Sequence, residues 1–163
     1  MSDISTEVAV LTGDIPCLLL PLIEETLLVP TVTVAEMGPI QPFEIIHNTP
    51  DWFLGFYNWR NLRVPVISFE TLHGLHSPKL NSRGRVAVLN NTGSSEHIPF
   101  ISIITQDIPR MTRVEEKDIN DNSDSTLREY DLMSVKVGLE PFFVPDIEKL
   151  EKVVLELALI DTK

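Results

Sequence analysis

Short apolar runs separated by turn residues are the sequence feature that most constrains this fold. Each run suits a β-strand and is too short for an ordinary helix. Pro30, Pro39 and Pro42 interrupt the early part of the chain and exclude a long helix there. The predicted strands are Cys17–Leu22 with Thr26–Val29, Phe56–Trp59 with Val64–Phe69, Arg85–Leu89 with Ile98–Ile104, Pro109–Val114, and Leu132–Val137 with Phe142–Val144. Strands this short predict an all-β fold of small barrels.

One amphipathic helix is predicted, from Asp146 to Leu159. Asp146 is a preferred N-cap residue, and Glu148 suits the positive end of the helix dipole. Apolar residues recur at three- and four-residue steps and form a stripe that we expect to pack on the body of the protein. By contrast, residues 1–14 show no clear apolar period, and the stretch from Glu115 to Arg128 is charged. We predict a flexible end and a mobile loop there.

The charge balance excludes some classes of partner. The chain has 24 acidic and 13 basic residues, a formal charge of −11, whereas nucleic-acid binding needs clustered positive charge. Its apolar runs fall well short of the roughly 20 residues that span a bilayer, and its first residues lack the features of a signal peptide. The lone Cys17 lies in an apolar run and is predicted to be buried. Together these features predict a cytoplasmic protein without membrane insertion.

Residues suited to catalysis or metal binding are sparse. His73 and His76 have a spacing found in metal sites, but no second pair of ligands follows at a suitable distance. Solvated loop histidines are therefore the preferred interpretation. The sequence contains no nucleophile elbow, phosphate-binding loop or dinucleotide fingerprint, and Cys17 has no base near it in the sequence. We predict no metal, no cofactor and no enzymatic activity.

The segment Asp51–Phe69, DWFLGFYNWRNLRVPVISF, is unusually rich in aromatic residues for a chain that is 7% aromatic. Most of these rings are predicted to be core. Thr49-Pro50 has the pattern of a helix start, so a short helix is predicted there, ending at Gly55.

A polar turn is predicted after the aromatic strand, from Arg60 to Arg63. Arg60 begins the turn and is expected to project from a rigid base. Asn61 follows it and is the non-glycine residue best suited to a left-handed turn conformation. Pro65 then lies near the start of the next strand, which favours a position at the edge of a sheet.

This segment closely resembles the hallmark of the CheW family of bacterial chemosensory coupling proteins, Gly-x-x-Asn-x-Arg-Gly-x-x-x-Pro followed by apolar residues. The matching stretch is Gly55-x-x-Asn58-x-Arg60-Asn61-x-x-Val64-Pro65-Val66-Ile67. Upstream, Val34-Ala35-Glu36-Met37 is similar to the family's Val-x-Glu-Ile stretch. Asn61 replaces the family glycine, which keeps the turn and adds a polar side chain beside Arg60.

The resemblance implies one domain, residues 1–163, of two small SH3-like five-stranded β-barrel lobes with a C-terminal helix. It implies a non-catalytic adaptor that couples the cytoplasmic tip of methyl-accepting chemoreceptors to a CheA-type histidine kinase. Other CheW-like proteins are further implied partners, in membrane-associated receptor arrays. By the same resemblance, Glu36 and Arg60 form a charged pair near a partner-binding surface, which consists of Val34, Glu36, Gly55 and Arg60.

The ending Phe142–Glu151 is most similar to accessory members of pilus-linked chemosensory systems, the ChpC type. It implies an output in type IV pilus twitching motility. Three other interpretations stay open. One is the regulatory domain of a kinase, or a CheV-type adaptor, detached from its other domains. Another is a ligand-binding β-barrel unrelated to chemotaxis, which a deep apolar cavity would favour. The last is a hydrolase, which would need convergent carboxylates in a cleft.

Overall fold

A computed structural model describes residues 14–76, 79–93, 96–121 and 126–157. The strands in these ranges are β1 Asp14–Pro21, β2 Thr26–Pro30, β3 Val34–Pro39, β4 Phe53–Trp59, β5 Leu62–Ile67, β6 Arg85–Asn90, β7 Phe100–Ile104, β8 Arg110–Glu115, β9 Ile119–Asp121, β10 Asp131–Val137 and β11 Glu140–Pro145. The helices are α1 Phe69–Leu72 and α2 Ile147–Leu155, and one-turn 3-10 helices cover Thr31–Thr33 and Glu116–Asp118. The predicted all-β class with a C-terminal helix is confirmed.

The strands form two sheets that define two lobes. The central sheet has five strands in the order β3-β6-β7-β5-β4 and comes from one continuous stretch of chain. The terminal sheet has six strands in the order β8-β1-β2-β11-β10-β9, so both ends of the described chain contribute to it. Neighbouring strands are antiparallel except for the pairs β5–β7 and β2–β11, which are parallel. The terminal lobe is thus built around a contiguous central lobe.

Three apolar clusters explain why the strands are apolar on both faces. Each sheet has a cluster of its own, and a third, shared core lies between the sheets and α2. In β6, Val86 and Val88 belong to the central-sheet cluster, whereas Ala87 and Leu89 belong to the shared core. Because side chains alternate across a strand, one strand serves both cores. Continuous apolar runs, instead of alternating ones, are the expected result.

Helix α2 completes the shared core. Its N-cap residue is Asp146, whose carboxylate accepts a hydrogen bond from the backbone N–H of Lys149 at 3.2 Å. Leu150 and Val154 are fully buried in the shared core, so the apolar stripe packs on the body as predicted. The helix ends at Leu155, and residues 158 and 159 of the predicted helix lie outside the described residues.

Two predictions about the aromatic segment are wrong. No helix follows Thr49-Pro50, because a turn leads directly into β4, which runs through Gly55. The bulge at Gly55 depends on contacts with a segment about ten residues upstream, which local pattern does not encode. Pro65 is not on an edge strand, since β5 lies between β7 and β4. It is tolerated because β5 pairs with β7 only from Val66 onwards.

The predicted mobile loop from Glu115 to Arg128 is partly wrong. A 3-10 turn leads into β9, which pairs with β10, and Arg128 is held by ion pairs. Residues 122–125 of that loop, and residues 1–13 of the predicted flexible end, lie outside the described residues. Cys17 is buried as predicted, and burial raises the pKa of its thiol. A raised pKa means that less of the thiol is present as the nucleophilic thiolate.

Candidate functional site

The β4–β5 hairpin turns through two residues, Arg60 and Asn61, which both have left-handed backbone conformations. Their φ angles are +52° and +65°. Positive φ at both central residues is the pattern of a type I′ turn, whose twist suits a two-residue hairpin. Asn61 adopts this conformation readily, which explains how it stands in for glycine, whereas it costs Arg60 about 1–2 kcal/mol. The turn fixes the direction in which Arg60 leaves the sheet.

Glu36, Trp59 and Arg60 form the hairpin-tip site. Arg60 Nη2 donates to Glu36 Oε1 at 2.9 Å, and Trp59 Nε1 donates to the same oxygen at 3.2 Å. The guanidinium carbon of Arg60 lies 4.7 Å from the centroid of the Trp59 ring. The Arg60 side chain is 69% exposed and that of Glu36 is 41% exposed. The charged pair that the resemblance implied is therefore present as an exposed contact.

This contact joins opposite edges of the central sheet, because Glu36 lies on β3 and Trp59 on β4. Next to it, the Tyr57 hydroxyl donates to the Pro39 carbonyl oxygen at 3.0 Å. A Cβ at Gly38 would collide with that hydroxyl, so any other residue there would displace the Tyr57 side chain. Burial and the Glu36 charge raise the pKa of Tyr57, which keeps its hydroxyl protonated as a donor. Side chains thus close the curled sheet into a barrel.

The other two predicted contact residues, Gly55 and Val34, lie in positions where they contribute to the fold. Gly55 is buried in β4 with a φ of +127°, and a Cβ there would lie 2.5 Å from the Glu44 carbonyl oxygen. That glycine lets Glu44 form a bridge with Phe56 through two backbone hydrogen bonds of 2.8 and 3.0 Å. Val34 is half-buried and packs on the shared core. A role for these two residues in partner binding stays a prediction.

A second arginine, Arg63, is positioned on the same hairpin. Its guanidinium donates to both carboxylate oxygens of Glu44, at 3.0 and 3.1 Å, and stacks 4.0 Å from the Phe56 ring centroid. Sequence reasoning treated Arg63 only as a turn residue. In the β4–β5 hairpin, Arg63 pairs with Asn58, and this register places Arg63 next to the aromatic residues of β4. A sequence-based prediction of the hairpin register could have found it. Arg63, Glu44 and Asn61 line a polar cleft of about 530 Å³.

A partly buried charged cluster lies in the terminal lobe where it meets α1, and sequence reasoning missed it. This junction cluster is formed by Glu25, Arg128 and Asp131. Arg128 donates to Glu25 at 2.9 and 3.1 Å and to Asp131 at 2.8 and 3.0 Å. It also lies over the Phe69 ring of α1. Burial alone would lower the pKa of Arg128, but the hydrogen bonds that its guanidinium donates to the two carboxylates, and their negative charges, raise the pKa overall.

The residues of α1 complete the junction. A carboxylate oxygen of the buried Glu70 accepts from the Ile23 backbone N–H at 2.8 Å, which ties α1 to the β1–β2 turn. His73 Nε2 accepts from the Tyr130 backbone N–H at 3.1 Å. Burial, reinforced by Arg128, lowers the pKa of His73 and so keeps it neutral. His73 is thus a structural residue and not the solvated loop histidine of the prediction. In the described ranges, no group of three or more His, Cys, Asp or Glu side chains is placed to hold a metal ion.

A family model described as a CheW-like domain matches residues 16–153. The chain belongs to the CheW-like family. The crystal structure of the scaffolding protein TtCheW from Thermoanaerobacter tengcongensis is similar to this CheW-like chain, with a TM-score of 0.71 and 17% sequence identity. The match covers 83% of this chain and 86% of that one. The predicted CheW-like fold is therefore confirmed.

A search of curated proteins finds no significant match to this CheW-like chain. Among the helices of the described residues, none is long and apolar enough to cross a membrane.

Proposed function

We propose that this chain is a non-catalytic coupling adaptor that links the cytoplasmic tip of a methyl-accepting chemoreceptor to a CheA-type histidine kinase. The observation that carries the proposal is the family match over residues 16–153, together with the exposed Glu36–Arg60 pair on a rigid hairpin. Membership of the CheW-like family supports a coupling role. Such an adaptor would work at the cytoplasmic face of a receptor array.

The geometry of the hairpin-tip site suits recognition of a partner. An exposed Glu–Arg pair contributes only about 0–1 kcal/mol to stability, so fold stability alone does not account for it. Arginine is favoured at interfaces because its planar guanidinium has several donors in a fixed arrangement. Arg60 uses Nη2 for Glu36 and keeps most of its surface in solvent. Leu62, the next residue after the turn, adds an exposed apolar side chain.

A pilus-linked output is part of the proposal, and its support is the resemblance of Phe142–Glu151 to the ChpC type. In the structure this stretch forms most of β11 and the first half of α2. Deleting the gene should reduce surface twitching and leave swimming intact. Loss of swimming with normal twitching would contradict the pilus assignment and leave the coupling role standing.

A pull-down with the purified receptor tip and kinase tests the coupling role. The wild-type chain should retain both proteins. Arg60→Ala should weaken receptor retention and leave the fold intact. Arg113→Ala is a matched control, because Arg113 is 68% exposed and pairs with Asp14 at 2.9 Å on the other lobe. Equal retention by the wild type and Arg60→Ala would overturn the assignment of Arg60.

Two clefts among the described residues do not favour the ligand-binding alternative. The cleft beside the hairpin is lined mainly by polar groups. A second cleft, of about 370 Å³, is apolar and lies on the surface between β2 and the start of α2. A small-molecule site is expected to enclose most of its ligand in a deep pocket. The coupling role is therefore the function that the geometry supports best.

A further inference from the structure

Trp59 makes three contacts that no other residue of the hairpin-tip site combines. Its indole N–H donates to Glu36 Oε1, its ring lies under the Arg60 guanidinium, and its ring also packs against Phe100. The Phe100 ring centroid is 4.8 Å away in a T-shaped arrangement. Trp59 is only 7% exposed and belongs to the central-sheet cluster. It is a core residue whose one polar atom faces the exposed pair.

We propose that Trp59 is the positioning residue of the hairpin-tip site. Its N–H holds the Glu36 carboxylate, and its ring supports the Arg60 guanidinium, so that the pair is presented to a partner in one arrangement. The effect on partner binding rests on the proposed function. The positioning itself is a property of the isolated chain and is testable without any partner.

The physical need for such a residue follows from the exposure of the pair. Two long side chains in solvent lose rotamer freedom when they pair, and the net gain is close to zero. A buried ring has already lost its freedom on folding, so its N–H is a donor with a fixed position. Both donors converge on Oε1, and a charge-assisted hydrogen bond is stronger than a neutral one. The rigid indole thus determines where the carboxylate, and then the guanidinium, will lie.

The simpler reading makes Trp59 a core residue and nothing more. It explains the Phe100 contact and the burial. A buried indole N–H needs some acceptor, and a backbone carbonyl oxygen or a water molecule would satisfy it equally well. A core role therefore does not explain which acceptor Trp59 has. Here the acceptor is the one carboxylate that also binds Arg60. The two readings predict different behaviour when Glu36 is removed, which makes them separable.

The arrangement also indicates the chemistry of the partner. Arg60 Nη2 donates to Glu36, and the Arg60 side chain is 69% exposed, so other donors of the guanidinium remain accessible to a partner. A guanidinium has only donors, so it requires oxygen acceptors on the other side. The matching partner surface presents a carboxylate or backbone carbonyl oxygens to Arg60.

A double-mutant cycle tests the proposal through binding of the receptor tip, measured by calorimetry on the full chain. Trp59→Phe keeps the ring and removes the N–H, and it should weaken binding by about fivefold. In a Glu36→Ala background the same change should weaken binding by less than about twofold, because the acceptor is gone. Trp52→Phe is the control, since Trp52 packs on the shared core. An equal loss in both backgrounds, or no loss in either, overturns the proposal.

A second measurement needs no partner and does not depend on the stability of Trp59→Phe. The chain has two tryptophans, so its NMR spectrum should contain two indole N–H peaks, which Trp52→Phe assigns. Glu36→Ala should shift the Trp59 peak, speed its exchange with solvent and leave the Trp52 peak in place. An unmoved Trp59 peak overturns the proposal. If the receptor tip does not bind the wild type, the proposed function fails, and the NMR result alone decides whether Trp59 positions the pair.

Discussion

Arg60 and Arg128 make the same kind of charged contact in opposite surroundings. The Arg60 side chain is 69% exposed, and it donates to a single oxygen of Glu36, which also accepts from Trp59. The Arg128 side chain is 26% exposed, and its partners Glu25 and Asp131 are 13% and 0% exposed. Exposed pairs contribute little to stability, whereas breaking a buried pair leaves a charge without compensation. The comparison indicates that the exposed hairpin-tip pair adds little to fold stability, whereas the junction cluster, which ties the β1–β2 turn to β10, contributes to it.

Arg128→Ala is expected to have the largest effect on stability. It leaves the carboxylates of Glu25 and Asp131 buried without their partner and should lower the free energy of unfolding by about 3–5 kcal/mol. Urea unfolding followed by circular dichroism measures this. Arg128→Lys keeps the charge but not the paired geometry. Its free energy of unfolding should therefore lie between those of the wild type and Arg128→Ala. If Arg128→Ala lowered the free energy of unfolding by less than about 1 kcal/mol, Arg128 would contribute no more to stability than an exposed pair such as Arg60–Glu36, and the contrast between the two sites would be wrong.

Gly55→Ala separates scaffold from contact on the hairpin itself. The new Cβ would lie 2.5 Å from the Glu44 carbonyl oxygen at a φ of +127°, so a loss of about 2–3 kcal/mol is expected in urea unfolding. Gly138→Ala is the control, because Gly138 also has a positive φ but no atom within 4 Å of the added Cβ. That control should lose only about 1 kcal/mol. If the two variants lose equal stability, the Glu44 contact is not what requires glycine at Gly55.

Glu70 gives the stability of the junction a pH dependence. Burial raises the pKa of Glu70 above its ordinary value of 4.5, with an offset from the Ile23 hydrogen bond. Because the folded-state pKa is the higher one, the contribution of Glu70 to stability is complete below pH 4.5 and is lost as the pH rises through the folded-state pKa. Glu70→Gln should therefore gain stability relative to the wild type as the pH rises above 4.5.

Urea unfolding of both proteins at a series of pH values measures that difference. His73 has the opposite effect on the pH dependence of stability. Because its pKa in the folded state is below the ordinary value of 6.5, its contribution to stability is lost as the pH falls below 6.5. His73 is present in both proteins, so its effect cancels in the comparison. A difference between the proteins that does not change with pH would show that Glu70 is not the source.

Arg60→Ala should change the free energy of unfolding by less than about 1 kcal/mol while it weakens receptor binding. Arg60→Gly should be as stable as the wild type or more stable, because glycine adopts the φ of +52° without strain, and it should bind as weakly as Arg60→Ala. Unfolding curves and calorimetry on the same samples check both statements. If Arg60→Ala unfolds by several kcal/mol, Arg60 is a structural residue and the comparison with Arg128 loses its basis.

Asn61→Gly is expected to have the smallest effect. It restores the family glycine at a φ of +65° and should raise the free energy of unfolding by about 0.5–1 kcal/mol at most. The variant also tests whether the Asn61 side chain, which lines the polar cleft beside Arg63, affects partner choice. A panel of receptor tips with unchanged relative affinities would show that it does not.

Local signals predicted much of the fold. The hairpins at β1–β2, β6–β7 and β10–β11 were predicted from apolar runs and turn residues, and α2 from its cap and apolar stripe. The left-handed turn at Asn61 followed from the residue type. The predicted helix after Pro50 was wrong, because β4 pairs with β5 and Phe56 forms a bridge with Glu44, which the cap-like pattern at Thr49-Pro50 does not reveal. The six-stranded terminal sheet could not be predicted, since β9 lies in a charged stretch and is recognised only by its pairing with β10.

The sequence by itself determined the all-β class, the C-terminal helix and the motif that placed Arg60 on a turn. These depend on alternation, turn preferences and caps, which act over a few residues. Tertiary structure decided which charges are buried and which are exposed. Glu25 and Arg128 are 103 positions apart, and Glu36 and Arg60 are 24 apart, so neither contact has a local signal. The packing of two sheets on one core buries the first pair, and the closure of one barrel leaves the second at its rim.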